Sequence, residues 1–325
     1  MSETNNTDYV MEKDPQYNVP TAELLKTFPI RYETPAVSQM NKNVQNRMLN
    51  GFNQWNHGYE AWEKWGNVLY YPGSVYTVHG VRLTLKEYQK AMQISLKRVN
   101  IQMGNFMNML LVDDWMAIQY EISTNGHPGR TMEFARFKDF GDRGAKVDEG
   151  WGGVRAGDYD GMMMFLKPEE KEAQKKYMDE ITAMTLKDTD NLDEKYPVEY
   201  PTTISTEKNK QMKEAVLAEI DAWNKGYESW SKNADSFYTE NASVTYGHQT
   251  FEKAGLKDAM KKLAETKDVK RVKAMNVLTS EDWLAIHYWN SVTEKDSRKT
   301  AIDTMTFFHF NDDMKVDLCF VNENL

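Results

Sequence analysis

The chain has 325 residues, 40% hydrophobic and 12% aromatic, enough apolar surface for two or three globular domains with their own cores. Its formal net charge is −9 with a sequence pI near 5.3, and its lysines are scattered, so it offers no basic face to nucleic acid or an anionic membrane. A lone cysteine, Cys319, excludes an internal disulfide; with no apolar run of membrane-spanning length and a polar, acidic N-terminus, the cytoplasm is the expected location.

Residues 1–40 are polar and punctuated by Pro15, Pro20, Pro29 and Pro35, which predicts an extended arm with one short helix over 21–26. The segment 41–155 then opens on a helix whose Trp55, Tyr59 and Trp62 stand at i, i+4 and i+7 and form one apolar stripe. Thr84-Leu85-Lys86-Glu87 is a capping-box pattern that opens another helix. β-rich runs over 99–112 and 115–123, joined at Asp113-Asp114, predict a hairpin, and 131–137 with 146–151 predict a second pair joined through Gly141-Asp142-Arg143-Gly144. A connector, 156–207, holds one helix beginning at Pro168 and an acidic, proline-punctuated stretch. The last segment, 208–325, ends on strands over 304–310 and 315–321 joined by Asn311-Asp312-Asp313. Helices first and a strand meander afterwards is an α+β pattern.

The two long segments repeat each other. Trp55-Asn56-His57-Gly58-Tyr59 returns as Trp223-Asn224-Lys225-Gly226-Tyr227, and Asp114-Trp115-Met116-Ala117-Ile118 returns as Asp282-Trp283-Leu284-Ala285-Ile286, at a constant offset of 168 residues. Ala91-Met92 matches Ala259-Met260 at the same offset, and no gap is needed from about residue 52 to 120. Two copies of roughly a hundred residues are a domain duplication and not a solenoid. Residues that the copies share are candidates for architecture; polar residues that they do not share are candidates for function.

Several chemistries lack their residues. The six histidines are dispersed, with no HExxH and no cysteine pair, and there is no P-loop, dinucleotide glycine fingerprint or serine-nucleophile elbow. No metal or cofactor is therefore expected. Nine tryptophans and twenty methionines suit either an accommodating ligand cavity or an irregular core.

The element order, with Val75-Tyr76-Thr77-Val78-His79-Gly80 before the third helix, Asp113-Asp114-Trp115-Met116-Ala117-Ile118-Gln119-Tyr120, and Met132-Glu133-Phe134-Ala135-Arg136-Phe137, resembles the SnoaL-like branch of the nuclear transport factor 2-like superfamily. The resemblance implies two tandem cone-shaped domains, each a strongly curved antiparallel sheet wrapped around helices, whose open end admits a small apolar ligand. It also implies pairing through the outer sheet face, here as an intramolecular pseudo-dimer, with further homo-oligomerisation open. Members of the superfamily include ketosteroid isomerases, polyketide cyclases, dehydratases, epoxide hydrolases and pockets with no known reaction, so the fold alone does not choose among them.

Within that resemblance Glu133 takes the strand position where SnoaL-like cyclases commonly carry an acid/base Asp, and it shares strand parity with Ala135 and Phe137. The second copy has Thr306 there, which directs attention to the first copy. Alternation puts Trp115, Gln119 and Glu121 on one strand face, expected to line the cone; Gln119 would orient a substrate oxygen and His79 would serve as partner acid or donor. Tyr59, Trp62 and Tyr76 complete the expected pocket, and His287, Tyr227 and His248 are the corresponding set in the second copy. Plain alternatives stand beside each assignment: Glu133 in an outward salt bridge, Gln119 and Glu121 facing solvent, His79 in a turn, Tyr59 and Trp62 in the core. The glycine run from Gly150 to Gly153, followed by Gly157 and Gly161, fits a flexible exit from the last strand or a mobile lid. The expected function is cofactor-independent acid/base chemistry of the isomerase, cyclase or dehydratase type on a small apolar carbonyl compound; the competing expectation is a non-catalytic binding or scaffolding protein.

Overall fold

The structure, a computed structural model, describes residues 19–78, 81–98, 100–140, 144–154, 167–169, 171–173, 175–176, 200–247, 249–293 and 299–322. Its contacts separate two compact units, one holding the described residues up to Gly153 and those of 167–176, the other Val154 and the described residues from Tyr200 onward. Each has helices against a curled sheet.

The first domain runs α1 (Thr21–Thr27), β1 (Ile30–Tyr32), α2 (Gln39–Trp55), α3 (Tyr59–Leu69), β2 (Tyr70–Val78), β3 (Val81–Thr84), α4 (Leu85–Arg98), β4 (Ile101–Val112), β5 (Trp115–Thr124), β6 (His127–Asp139) and β7 (Ala145–Val154). Its seven strands lie in the order β1-β4-β5-β6-β7-β2-β3. The meander β4 to β7 follows the sequence; β2 then closes onto β7 in parallel, as does β1 onto β4. The capping box forms as expected, with the Thr84 N–H donating to Glu87 Oε2 at 2.7 Å.

The stripe of Trp55, Tyr59 and Trp62 does not lie on one helix. The chain breaks between α2 and α3, where Gly58 has φ 100°, a left-handed conformation that glycine adopts without a β-carbon clash. Asn56 secures the corner by accepting from the Met103 N–H (2.7 Å) and donating to the Met103 carbonyl (2.9 Å), while Trp55 Nε1 donates to the Ile101 carbonyl (2.9 Å). Trp55 and Trp62 still meet edge to face at 5.5 Å across the break.

The second domain repeats this as α5 (Glu207–Asn224), α6 (Tyr227–Phe237), β8 (Tyr238–Tyr246), β9 (Gln249–Phe251), α7 (Lys253–Thr266), β10 (Asp268–Ser280), β11 (Trp283–Thr293), β12 (Lys299–Phe310) and β13 (Val316–Asn322), with sheet order β10-β11-β12-β13-β8-β9. The duplication extends to individual hydrogen bonds. Trp223 Nε1 donates to the Val269 carbonyl and Asn224 brackets the backbone of Arg271, with Gly226 at φ 111°. It also reaches upstream of the segment starts at 41 and 208. Tyr32 bridges Asn108 as Tyr200 bridges Asn276, and the Thr34 and Thr202 hydroxyls donate to the Met109 and Val277 carbonyls. Tyr32 and Thr34 recur as Tyr200 and Thr202 at the same offset of 168, identities outside the long ungapped match.

Asn41 and Asn209 each donate to the carbonyl of a residue with positive φ at the tip of the facing hairpin, Asp113 (φ 53°) and Glu281 (φ 51°), at 2.9 Å. Replacing either with Leu removes this tie between helix and hairpin tip, and a loss of about 0.5–1.5 kcal/mol is expected on denaturant unfolding. Of the expected connector, the described residues between 168 and 176 are helical. The arm up to residue 18 lies outside the described residues.

Candidate active site

The β5–β6 ladder is continuous, placing Ile118 opposite Glu133 and Tyr120 opposite Thr131, so Glu133 and Tyr120 share a face. That face is the helix side of the sheet, because Phe52 of α2 packs on Tyr120 (4.6 Å) and stacks on Phe106 (4.9 Å). The Tyr120 hydroxyl donates to Glu133 Oε1, and the Tyr76 hydroxyl, from β2, donates to Glu133 Oε2 at 2.7 Å.

Two glycines of β7 make this approach possible. Gly150 is the ladder partner of Tyr76, and a β-carbon there would overlap the Tyr76 ring; one at Gly152 would stand 3.0 Å from Glu133 Cγ and 3.3 Å from the Tyr76 hydroxyl. These glycines are therefore neither a lid nor a loose strand exit but the wall against which the site is built; Gly157 and Gly161 lie outside the described residues. Gly150→Val is expected to displace the Tyr76 ring, costing about 1–3 kcal/mol and the Glu133 hydrogen bond, to be read by denaturant unfolding and near-ultraviolet circular dichroism.

Tyr88 of α4 stacks on Tyr76 at 4.4 Å, and Tyr70 meets both edge-on at 5.6 and 6.2 Å. Trp62 closes the cluster beneath Tyr70 and Tyr88. Burial pushes the Glu133 carboxyl above the usual carboxylate range, and the hydrogen bonds from Tyr120 and Tyr76 only partly offset this. Burial and the nearby Glu133 charge hold Tyr70, Tyr76 and Tyr120 above the usual phenol range, and burial with the neighbouring Tyr70 and Glu133 does the same for Tyr88. The phenols thus remain donors at any physiological pH. Tyr120 and Tyr76 are only 2% and 5% exposed, whereas Glu133 keeps an intermediate exposure. Its carboxyl group is thus held by phenols that are themselves almost fully covered.

The remaining expected residues divide by face. Trp115, Gln119 and Glu121 lie on the opposite side of β5 from Glu133, correcting their placement in the pocket: parity groups them together, but the register with β6 and the packing of α2 make the even-numbered face the inner one. Gln119 stands between Asn108 and Met132, and Trp115 stacks on Trp151 at 5.9 Å beneath the Arg136 guanidinium. Phe137 shares the Glu133 face and is fully buried. Tyr59 donates to Glu63 one turn along α3 at 2.7 Å, and Glu133 draws its hydrogen bonds from Tyr76 and Tyr120 instead. His79 and His248 lie outside the described residues. His287, opposite Met305, faces away from Thr306, and Tyr227 packs on Trp230.

Sequence reasoning missed Tyr70, Tyr88 and Tyr120. The comparison of copies could have found Tyr88 and strengthened Tyr76, because Leu256 and Val244 replace them at the offset of 168; Tyr70 and Tyr120 recur as Tyr238 and Tyr288 and were hidden by that recurrence.

The second domain has a different polar centre. Glu219 on α5 is 2% exposed, accepts from Trp230 Nε1 at 2.5 Å and pairs with Arg271 Nη1 at 2.5 Å. The guanidinium lies over the rings of Trp223 (5.4 Å) and Tyr288 (5.6 Å). In the first copy Gly51 and Met103 occupy these positions. Among the described residues no group of three or more His, Cys, Asp or Glu is placed to hold a metal ion, and no helix is long and apolar enough to cross a membrane.

No family model matches the chain, and no curated protein matches it. Solved structures do. A SnoaL-like polyketide cyclase of Agrobacterium tumefaciens is 17% identical with a TM-score of 0.30, the match covering 34% of this chain and 90% of that one. The similarity is to SnoaL-like and nuclear transport factor 2-like proteins. An NTF2-like protein of Anabaena variabilis (12% identity, TM-score 0.33) covers 37% of this chain and 95% of its own, and an LEH-like epoxide hydrolase of M. tuberculosis (9%, 0.31) covers 35% and 83%.

Proposed function

We propose that the first domain performs cofactor-independent acid/base chemistry, of the isomerase, cyclase or dehydratase type, on a small and largely apolar carbonyl compound, with Glu133 moving the proton. The observation that carries this reading is a single carboxylate, raised in pKa by burial and held by two phenols that cannot readily ionise.

Ionised Glu133 takes the proton from a carbon next to the carbonyl. Once protonated it needs fewer donors, so the Tyr76 or Tyr120 hydroxyl is freed to turn to the substrate oxygen as negative charge develops there. Returning the proton to a different carbon completes an isomerisation; giving it to a departing hydroxide completes a dehydration. The aromatic surround of Tyr70, Tyr88 and Trp62 suits a flat apolar skeleton and excludes water that would hydrate the carboxylate.

The test is incubation in D2O with a panel of enolisable ketones, including steroid, aromatic polyketide and phenolic examples, followed by mass spectrometry. Protein-dependent exchange at the α-carbon, or a rearranged or dehydrated product, is expected. A panel that returns unlabelled and unchanged, while ligands from it raise the melting temperature, would replace this reading with a binding protein.

A further inference from the structure

We propose that the open face of α5 in the second domain is a docking surface for the chain's own residues 189–196, which seat on it through Leu192 and Tyr196. The inference is independent of the reaction proposed for the first domain.

In the first domain the corresponding face belongs to α2. Asn46, Leu49, Asn50 and Asn53 stand at i, i+3, i+4 and i+7 and so line one side of the helix. α1 packs on α2, where Asn46 donates to the Val19 carbonyl (3.0 Å) and to Thr21 Oγ1 (3.1 Å). Asn50 donates to the same carbonyl and accepts from the Val19 N–H. Under this cover Leu49 is 0% exposed, and Leu24 and Phe28 are each 2% exposed.

The same positions of α5 are Glu214, Leu217, Ala218 and Asp221, and all four are exposed. Leu217, the counterpart of Leu49, is 37% exposed. A lone exposed leucine is ordinary, but one whose repeat counterpart is sealed by a preceding segment points to the second copy of that segment.

The sequence holds such a copy. Thr21, Leu24, Pro29, Tyr32 and Thr34 return as Thr189, Leu192, Pro197, Tyr200 and Thr202 at the offset of 168, with Tyr196 for Phe28 and Val198 for Ile30. Residues 189–196 lie outside the described residues, but the register immediately downstream is that of the first copy. Tyr200 bridges Asn276 as Tyr32 bridges Asn108, and the Thr202 hydroxyl donates to the Val277 carbonyl as Thr34 does to Met109. Leu192 is as far upstream of that bridge as Leu24 is of Tyr32, so the same path delivers it to the same face.

The attachment differs in its chemistry. Ala218 replaces Asn50, so one clamp on the incoming backbone is gone, and apolar contact of Leu192 and Tyr196 with Leu217 and Ala218 carries more of the binding. Glu214 accepts where Asn46 donates, and the Thr189 hydroxyl donates where Thr21 accepts, so that pair keeps a hydrogen bond with its direction reversed.

The experiment labels Leu217→Cys in the full chain with a maleimide, against Lys262→Cys on the exposed side of α7 as reference; the native Cys319 is buried and stays unlabelled. Leu217→Cys is expected to react at least about tenfold more slowly than the reference, and adding Leu192→Asp with Tyr196→Asp should restore the rate. Equal rates at the two positions overturn the proposal, as does protection that survives the aspartates. Protection that grows with protein concentration also overturns it, because a second copy of the chain is then the occupant. A benzophenone amino acid at position 217 gives a reading that needs no aspartates. On irradiation it should cross-link to residues 189–196 of the same chain, and attachment anywhere else overturns the proposal.

Discussion

Glu133→Gln is expected to lower kcat/KM by about 10²–10⁴-fold, the usual contribution of a positioned general base, without unfolding the protein. Glutamine keeps the shape and can still accept from one phenol, but it cannot take a proton. The pH profile provides a second reading. Because burial raises the Glu133 pKa, wild-type turnover should rise with pH through that raised value. Tyr76→Phe and Tyr120→Phe each remove a hydrogen bond that stabilises the ionised form, so each should move the rising limb to higher pH. Stability should run the other way. A carboxyl with a raised folded-state pKa keeps its proton in the fold after the unfolded chain has lost it, so its contribution is fully present below the unfolded pKa and is lost as pH rises through the folded one. Glu133→Gln should therefore flatten this fall and be relatively more stable on its alkaline side. Unchanged turnover in Glu133→Gln would remove this residue from the mechanism.

Arg271→Met should be the most damaging single change to stability, costing about 3–5 kcal/mol, although it installs the residue that the first copy carries at this place. The cost comes from Glu219, which is left buried with the Trp230 indole N–H but no counter-charge. Arg271 also covers the rings of Trp223 and Tyr288, so some packing is lost with the charge. The pair itself need not be stabilising relative to an apolar core. Combining Arg271→Met with Glu219→Gln should recover most of the loss, and the double-mutant cycle gives the coupling. Denaturant unfolding followed through tryptophan fluorescence measures both, fitted with separate transitions for the two domains. A single-variant loss below about 1 kcal/mol would mean that the pair is solvated and not a closed centre.

Much of the architecture follows from the residues in order. The offset of 168 declared two copies, and the structure repeats it down to Trp55 and Trp223 bonding equivalent strands. Alternating β-rich runs around Asp113-Asp114 and the Thr84 to Glu87 capping box are local signals, and they formed where expected because short-range hydrogen bonds decide them. Glu133 was legible because its counterpart in the other copy is a threonine.

The contents of the site were decided elsewhere. Period-two alternation says that Trp115, Gln119 and Glu121 share a face and that Tyr120 does not join them, but it carries no information about which face the helices cover; Phe52 against Tyr120 settles that. Gly150 and Gly152 read as flexibility along the chain and act as cleared space across the sheet, because their neighbour Tyr76 is more than seventy residues away. Likewise Glu219 and Arg271 belong to separate elements in the sequence and become one ion pair only when α5 lies on β10. Composition, repeat and local pattern are properties of neighbouring residues and are fixed before folding; the choice of inner face and the meeting of Glu133 with Tyr76 and Tyr120 depend on contacts distant in the chain, which only the tertiary structure brings together.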